Sequence, residues 1–275
     1  MQHDELELLV QRSREGDRSA LEGLLMHVRP PIYKLAQRFL MNPADAEDAA
    51  QDILLKLVTR LSQFDGHSRF MTWAYKVASN HLLDEKRRKV VHTMSFDEFG
   101  ADLADGQRDP EEDIAHTNIM LAEVRIGCTL ALLQCLKPEA RMTYILGEIL
   151  ELDHTEAARV QEISEAAYRQ RLSRARTAIT QFMKGHCGLT EPANPCRCSK
   201  RLSRAVELGR VNPRETYLAK SEAAADAFPS VLAEVRKLES MRRAAALYRA
   251  QEEPPASDTF THWLRTLLRD TAAVN

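Results

Sequence analysis

Apolar residues recur along this chain at intervals of three and four, and scarcely anywhere at intervals of two. That period puts them on one face of a helix and cannot line one face of a sheet, so the pattern predicts an all-α fold. Ten Gly, eleven Pro and 6% aromatic residues agree, being too few for a turn-rich β architecture. The 275 residues exceed the roughly 150 of a single domain, so more than one helical domain is expected. No run of eighteen apolar residues exists, and the N-terminus MQHDELELL is acidic where a signal peptide is basic and then apolar. The expectation is a soluble cytoplasmic protein without membrane insertion.

In the first half, Leu21 to Leu40 is periodic but contains Pro30 and Pro31, which predict the end of one helix and the start of the next. Asn42 then reads as an N-cap with Pro43 in the first turn, and the helix is expected to run to about Gln63. Its apolar face is Ala46, Ala50, Ile53, Leu54, Leu57 and Leu61, while Asp45, Asp48 and Asp52 line another face. FDGHSRF, Phe64 to Phe70, is a polar turn in which Ser68 can cap the helix from 70 to 89. That helix carries a core stripe of Phe70, Ala74, Val77, Ala78 and His81 and ends in Lys86, Arg87, Arg88 and Lys89. Trp73, Tyr75 and Asn80 can hold unpaired bases by stacking and edge hydrogen bonds, or the two aromatics are core.

The formal net charge of −2 conceals segregation. Ser95 to Asp113 holds eight acids against one base and reads as a flexible linker, whereas Glu165 to Lys184 holds five bases against one acid. Between them, a helix is expected from about Ile114 to Cys135, and Pro138 opens another. Asp153 or His154 to Val160 is a short helix, Gln161 to Ser164 a tight turn, and Ser164 the cap of a third helix bearing Arg169, Arg171, Arg174 and Arg176. Two short helices across such a turn, the second exposing bases, form a helix-turn-helix that can enter the major groove. Nothing supports an enzyme: there is no glycine-rich phosphate loop, no HExxH, no G-x-S-x-G, and no Ser/His/Asp grouping.

Taken in order, DAEDAAQDILLKL, FDGHSRF, FMTWAYKVASNHLLDEKRRK and LKPEAR…TEAAR…ISEAAYRQRLSRAR resemble a bacterial RNA polymerase sigma factor of the extracytoplasmic-function group. The first three blocks are similar to the family's region 2 and the last to its region 4. The resemblance implies a region 2 domain over 1–92, an acidic linker over 93–113, a region 4 domain over 114–184 and a regulatory helical extension over 185–275. It also implies partners: core RNA polymerase through its β′ clamp helices and β, promoter DNA, and an anti-sigma factor. By position, Asp45, Glu47, Asp48, Gln51 and Asp52 would face the polymerase. Asp65, His67, Ser68, Arg69, Lys76, Asn80 and Arg87 would meet the minus-ten element, and Ser164, Glu165, Tyr168, Arg169, Arg171 and Arg174 the minus-thirty-five element. The family usually has a glycine in the helix-turn-helix turn, where TEAARVQEIS has none. The competing reading is a stand-alone helix-turn-helix regulator with a metal- or redox-sensing tail, which leaves the region 2 resemblance unexplained.

The core function of such a factor needs no cofactor. The tail begins with HCGLTEPANPCRC, where Cys187, Cys196, Cys198 and His186 offer soft donors of the kind that hold zinc or copper(I), with His154 an alternative fourth. Zinc binding, metal or thiol sensing, and neither remain open on sequence. Cys128 and Cys135, seven apart on one apolar side, read as small buried hydrophobes. After two helical stretches near Ser221 to Ala250, a final amphipathic helix is expected to carry Phe260, Trp263, Leu264, Leu267 and Leu268.

Overall fold

The computed structural model of the chain describes residues 3–88, 94–105, 118–237 and 240–250, together with Trp263 and Thr266. These residues are helical, with no strand among them, only isolated bridges at Cys187–Cys196 and Asn212–Glu215. The first four helices are α1 (His3–Arg14), α2 (Arg18–Leu40), α3 (Pro43–Thr59) and α4 (Phe70–Arg88). Asp17 caps α2 by accepting from Ala20 N–H. Asn42 caps α3, accepting from Ala44 and Asp45 N–H, with Pro43 in the first turn where its missing N–H has no partner to lose. The expected end of a helix at Pro30-Pro31 is not found: α2 runs straight through both prolines. Val28, Ile32, Leu35 and Ala36, on either side of the break, are all fully buried in one core, and that shared burial holds the two halves in line. α3 stops at Thr59, and a 3-10 turn covers Leu61–Gln63. Ser68 does not cap α4. Its hydroxyl donates to the Arg69 carbonyl, and Phe70 N–H instead donates to Glu7 Oε1 of α1 at 3.0 Å.

The acidic linker is not wholly a linker. Phe96–Ala104 forms α5, opened by a reciprocal capping box between Ser95 and Glu98, with Phe99 and Leu103 buried. Acids dominate the composition there, but the apolar residues fall on one face and find a core, Phe99 stacking on Phe182 at 5.3 Å. Then come α6 (Asn118–Gln134), α7 (Pro138–Tyr144) prolonged by a π turn at Ile145–Ile149, α8 (His154–Val160) and α9 (Glu165–His186). Asp153 and Ser164 cap α8 and α9. Gly147 lets the π turn approach α9: a Cβ there would sit 2.5 Å from Tyr168 Oη and 3.0 Å from Leu172 Cδ2.

The tail adds α10 (Cys198–Glu207), α11 (Glu222–Lys237) and α12 (Ser240–Arg249). α10 was not apparent in sequence, being short and strongly basic. It is held by Arg201, which donates to the Asp102 and Asp105 carbonyls of α5 and pairs with the Asp102 carboxylate at 3.0 Å. The expected terminal helix lies outside the described residues apart from Trp263, which packs on the main core, and Thr266.

Both halves and the tail share contacts. Arg141 of α7 is fully buried and donates to the carbonyls of Leu133, Gln134 and Leu136 at the end of α6, and to Phe39 of α2 at 2.8 Å. Four carbonyls thus solvate one buried guanidinium, whose pKa burial pulls down to about 10. Tyr248 of α12 accepts from Arg38 of α2 through its carbonyl and donates its hydroxyl to the Thr129 carbonyl of α6 at 3.0 Å.

Candidate nucleic-acid interface

On α3 the apolar residues Ala46, Ala50, Ile53, Leu54 and Leu57 are buried as expected, which turns Asp48 and Asp52 outward with Gln51 half-exposed beside them. Leu55, one of the few exposed large apolar side chains, extends this stripe and was not singled out in sequence. Glu47 is not part of the free face. It accepts from Arg29 Nη2 at 3.0 and 2.8 Å, compensating a guanidinium that is only 3% exposed. Asp45 stands in the first turn of α3, where a carboxylate suits the helix dipole.

The turn between α3 and α4 exposes Asp65, His67 and Arg69, with Ser68 half-exposed. Asp65 accepts the N–H of His67 at 2.9 Å, a bond that lowers its pKa and fixes the turn around Gly66, whose φ of 75° is left-handed. The turn is floored by Phe64, Phe70 and Trp73, whose rings lie 5.4 to 5.6 Å apart. Trp73 and Tyr75 therefore pack on the core rather than forming a free stacking platform. Lys76 and Asn80 follow Trp73 by three and seven residues along α4, on the same side of the helix, and both meet Glu162. The side chain of Arg87 lies outside those described.

In the helix-turn-helix, Glu162 takes a left-handed conformation with φ of 54°, of the kind glycine favours. Ser164 is the N-cap of α9 and accepts from Ala167 N–H, leaving it structural work as well as exposure. Tyr168 departs from expectation: it is fully buried, donates to the Thr143 carbonyl at 3.2 Å, and burial raises its pKa beyond any physiological range. It cannot touch a base without unpacking α7 from α9. Arg171 is half-buried and donates to Gln161 at 2.9 Å, while Arg169 pairs with Glu165 at 3.1 Å. Arg174 is exposed, and so are Gln170 and Ser173, which sequence reasoning passed over because neither carries charge. Residues 166, 169, 170, 173 and 174 make one open face at helical spacing.

Of the readings left open for the tail cysteines, a preformed metal centre is not what the structure shows. Among the described residues no group of three or more His, Cys, Asp or Glu is placed to hold a metal ion. His186 stacks on Phe182 at 4.4 Å and its Nδ1 lies 3.0 Å from the Phe182 carbonyl, turned away from the thiols. Nor does His154 join them, its ring lying against Tyr168. Cys187, Cys196 and Cys198, with Cys128 of α6, line a largely apolar cavity of about 680 Å³ between α6, α9 and the tail. Burial raises the thiols of Cys196 and Cys198, the latter to about 12, which makes them poor nucleophiles as they stand.

Residues 24–90 match the Sigma-70 region 2 family and residues 126–179 the Sigma-70 region 4 family. The RNA polymerase sigma-H factor of Pseudomonas aeruginosa is 27% identical over 180 residues, spanning 64% of this chain and 92% of that protein. The ECF RNA polymerase sigma-E factor of Escherichia coli K12 is also 27% identical, over 183 residues, spanning 63% of this chain and 91% of its own length. The structure of CnrH in complex with the cytosolic domain of CnrY shares the fold, with a TM-score of 0.50 at 20% identity over 66% of this chain and 98% of that one. About a third of this chain has no counterpart in these alignments. With the two sigma-70 regions in order and relatives aligned along nearly their whole length, the chain is a sigma factor of the extracytoplasmic-function type, bearing an additional tail.

Proposed function

We infer that this chain joins core RNA polymerase, directs it to a particular set of promoters and opens the DNA at the minus-ten element. The succession of region 2 and region 4 in one chain carries this reading. In it the protein contributes binding alone, in the cytoplasm, and leaves bond making to the polymerase. No helix among the described residues is long and apolar enough to cross a membrane.

At the level of residues, Asp48, Gln51, Asp52 and Leu55 form the outward face of α3 and are the proposed contact with the polymerase. Asp65, His67 and Arg69 in the turn, with Lys76 and Asn80 on α4, are the proposed minus-ten contacts. An extruded base leaves the stack at a cost of a few kcal/mol, which a fixed polar turn and backbone-tracking cations can offset. On α9, Arg169, Gln170, Ser173 and Arg174 are the proposed minus-thirty-five contacts, where Arg can reach both guanine edges and phosphates. The tail is proposed to be regulatory, as the described part of it bridges the two domains. An anti-sigma partner belongs to the same reading.

Run-off transcription with purified core polymerase tests the whole. The chain should redirect the polymerase to new start sites, whereas strong duplex binding alone with no redirection would favour a stand-alone regulator. Within that assay, Arg174→Ala is expected to weaken promoter binding by about 1–3 kcal/mol and leave polymerase affinity intact. Asp48→Ala should do the reverse, and exchanged phenotypes would refute the assignment.

A further inference from the structure

The cavity of about 680 Å³ beside the tail has the volume of a site for an organic ligand. Its wall takes residues from the junction of α2 and α3, from α5, α6 and α9, and from the tail. Apolar side chains such as Leu103, Val124, Leu132 and Phe182 cover most of it, and the four thiols among them add soft, polarisable surface. Packing for stability alone would close such a space, since protein interiors are filled to the density of organic crystals.

Among the described residues, the charged ones on this wall are Asp102, Glu123, Arg125, Arg201 and Arg210, and all but Arg125 are matched. Asp102 pairs with Arg201 at 3.0 Å and with Arg210 at 2.7 Å. Glu123 is buried and accepts the N–H groups of Tyr217, Leu218 and Ala219 at 2.6 to 3.0 Å. Arg125, half-buried on α6, has no oxygen acceptor among the described residues; its guanidinium lies on the Phe228 ring, with Cζ 3.4 Å from the centroid. Stacking fixes the plane of the guanidinium and leaves its N–H donors, which lie in that plane, free at the edge. The cation and the Cys198 thiol on the cavity wall each feel the other's charge, which places the guanidinium beside that wall. An arginine stays protonated, and a cation withdrawn from water is costly until an anion or an acceptor meets it.

We propose that this cavity is a binding site for a small amphipathic acid, Arg125 holding its carboxylate and the apolar wall its hydrocarbon body. Charge complementarity selects the headgroup: the planar fork of a guanidinium takes a carboxylate through two parallel N–H···O bonds. One unmatched cation suits a single negative charge and leaves the second charge of a phosphate monoester uncompensated. The mostly apolar lining favours a hydrocarbon body over a sugar or a nucleotide. None of the residues proposed to contact polymerase or promoter lines the cavity, so this site stands or falls independently of them.

The test is calorimetric titration of the full chain with decanoate below its micellar concentration, and with decanol as the neutral counterpart. One decanoate should bind per chain, about tenfold tighter than decanol, the worth of a charge-assisted bond. From hexanoate through octanoate to decanoate the affinity should rise about fourfold per methylene, as each is withdrawn from water. Arg125→Met keeps an apolar stem against Phe228, and its melting curve verifies that it folds. It should lose about tenfold in decanoate affinity and bind decanol as the unmodified chain does. A photoreactive diazirine analogue of decanoate should cross-link to α6 or to residues 187–198. No binding, or equal binding of decanoate and decanol by the unmodified chain, overturns the proposal whether or not the variant folds. So do decanoate binding that R125M leaves unchanged and cross-links confined to α1, α4 and α8. Binding that appears only once residues 251–275 are removed would assign the cavity to that segment and overturn it as well.

Discussion

Position 168 shows how a residue on a DNA-reading helix can serve the fold instead. Tyr168 lies within the basic stretch of α9, yet its ring is buried and its hydroxyl meets the Thr143 carbonyl. Tyr168→Phe is expected to lower stability by about 1 kcal/mol, the worth of one buried hydrogen bond, with promoter affinity unchanged at fixed folded concentration. Calorimetry and DNA titration on the same sample check both halves. Gly147 acts on the same packing from the other side, since a Cβ would meet Tyr168 Oη and Leu172. Gly147→Ala should therefore destabilise by about 1–3 kcal/mol through overpacking, despite alanine's better helix propensity. Neither contact was legible in sequence. Tyr168 falls on a position that the family resemblance links to DNA, and its burial depends on a π turn that no local pattern announces.

Among the elements, α3 was readable in its start and its buried face because its cap, its proline and its apolar period all point the same way, though it ends at Thr59 and not near Gln63. In α2 the local and tertiary preferences conflict. Pro30 and Pro31 withdraw two backbone donors, yet a fully buried stripe on both sides keeps the helix continuous. α5 and α10 show a further limit, for their faces make sense only against each other. Asp102 of α5 is partly buried, which alone would raise its pKa. Arg210 bonds it at 2.7 Å, and with Arg201 and Arg204 nearby the net effect is a pKa below the ordinary 3.8. A depressed carboxylate adds stability that is fully present above its unfolded pKa and is lost as pH falls through the folded value. Hydrogen exchange of α5 amides, corrected for intrinsic rates, should thus be steady from about pH 5 to 8 and accelerate below about pH 4. Acceleration beginning near pH 6 would point to a histidine instead and refute the assignment to Asp102.

For the molecule as a whole, the tail acts as a wedge between domains. Tyr248 is fully buried, touches α2 and α6 through hydrogen bonds, and meets Tyr144 of α7 edge to face at 5.9 Å. Tyr248→Ala is expected to weaken this junction by about 3–5 kcal/mol, the usual loss for a buried aromatic. Limited proteolysis should then release the tail faster while α1 to α4 keep their protection. Equal loss of protection in all regions would mean that the chain unfolds as one unit and that the wedge has no separate role.

By itself, the sequence determined the all-α class, the helix caps at Asn42 and Ser164, the buried face of α3, and the order of two domains that identifies the family. Each is set by residues within one or two turns of each other, or by motif order, so no long-range information is needed. Only the tertiary structure decided that α2 is unbroken, that Glu47 pairs with Arg29, that Tyr168 is core, that His186 leaves the thiols, and that Glu162 lies on Lys76. All of these join residues brought together by packing, where the neighbour that satisfies a charge or fills a gap comes from another element and leaves no trace in local spacing.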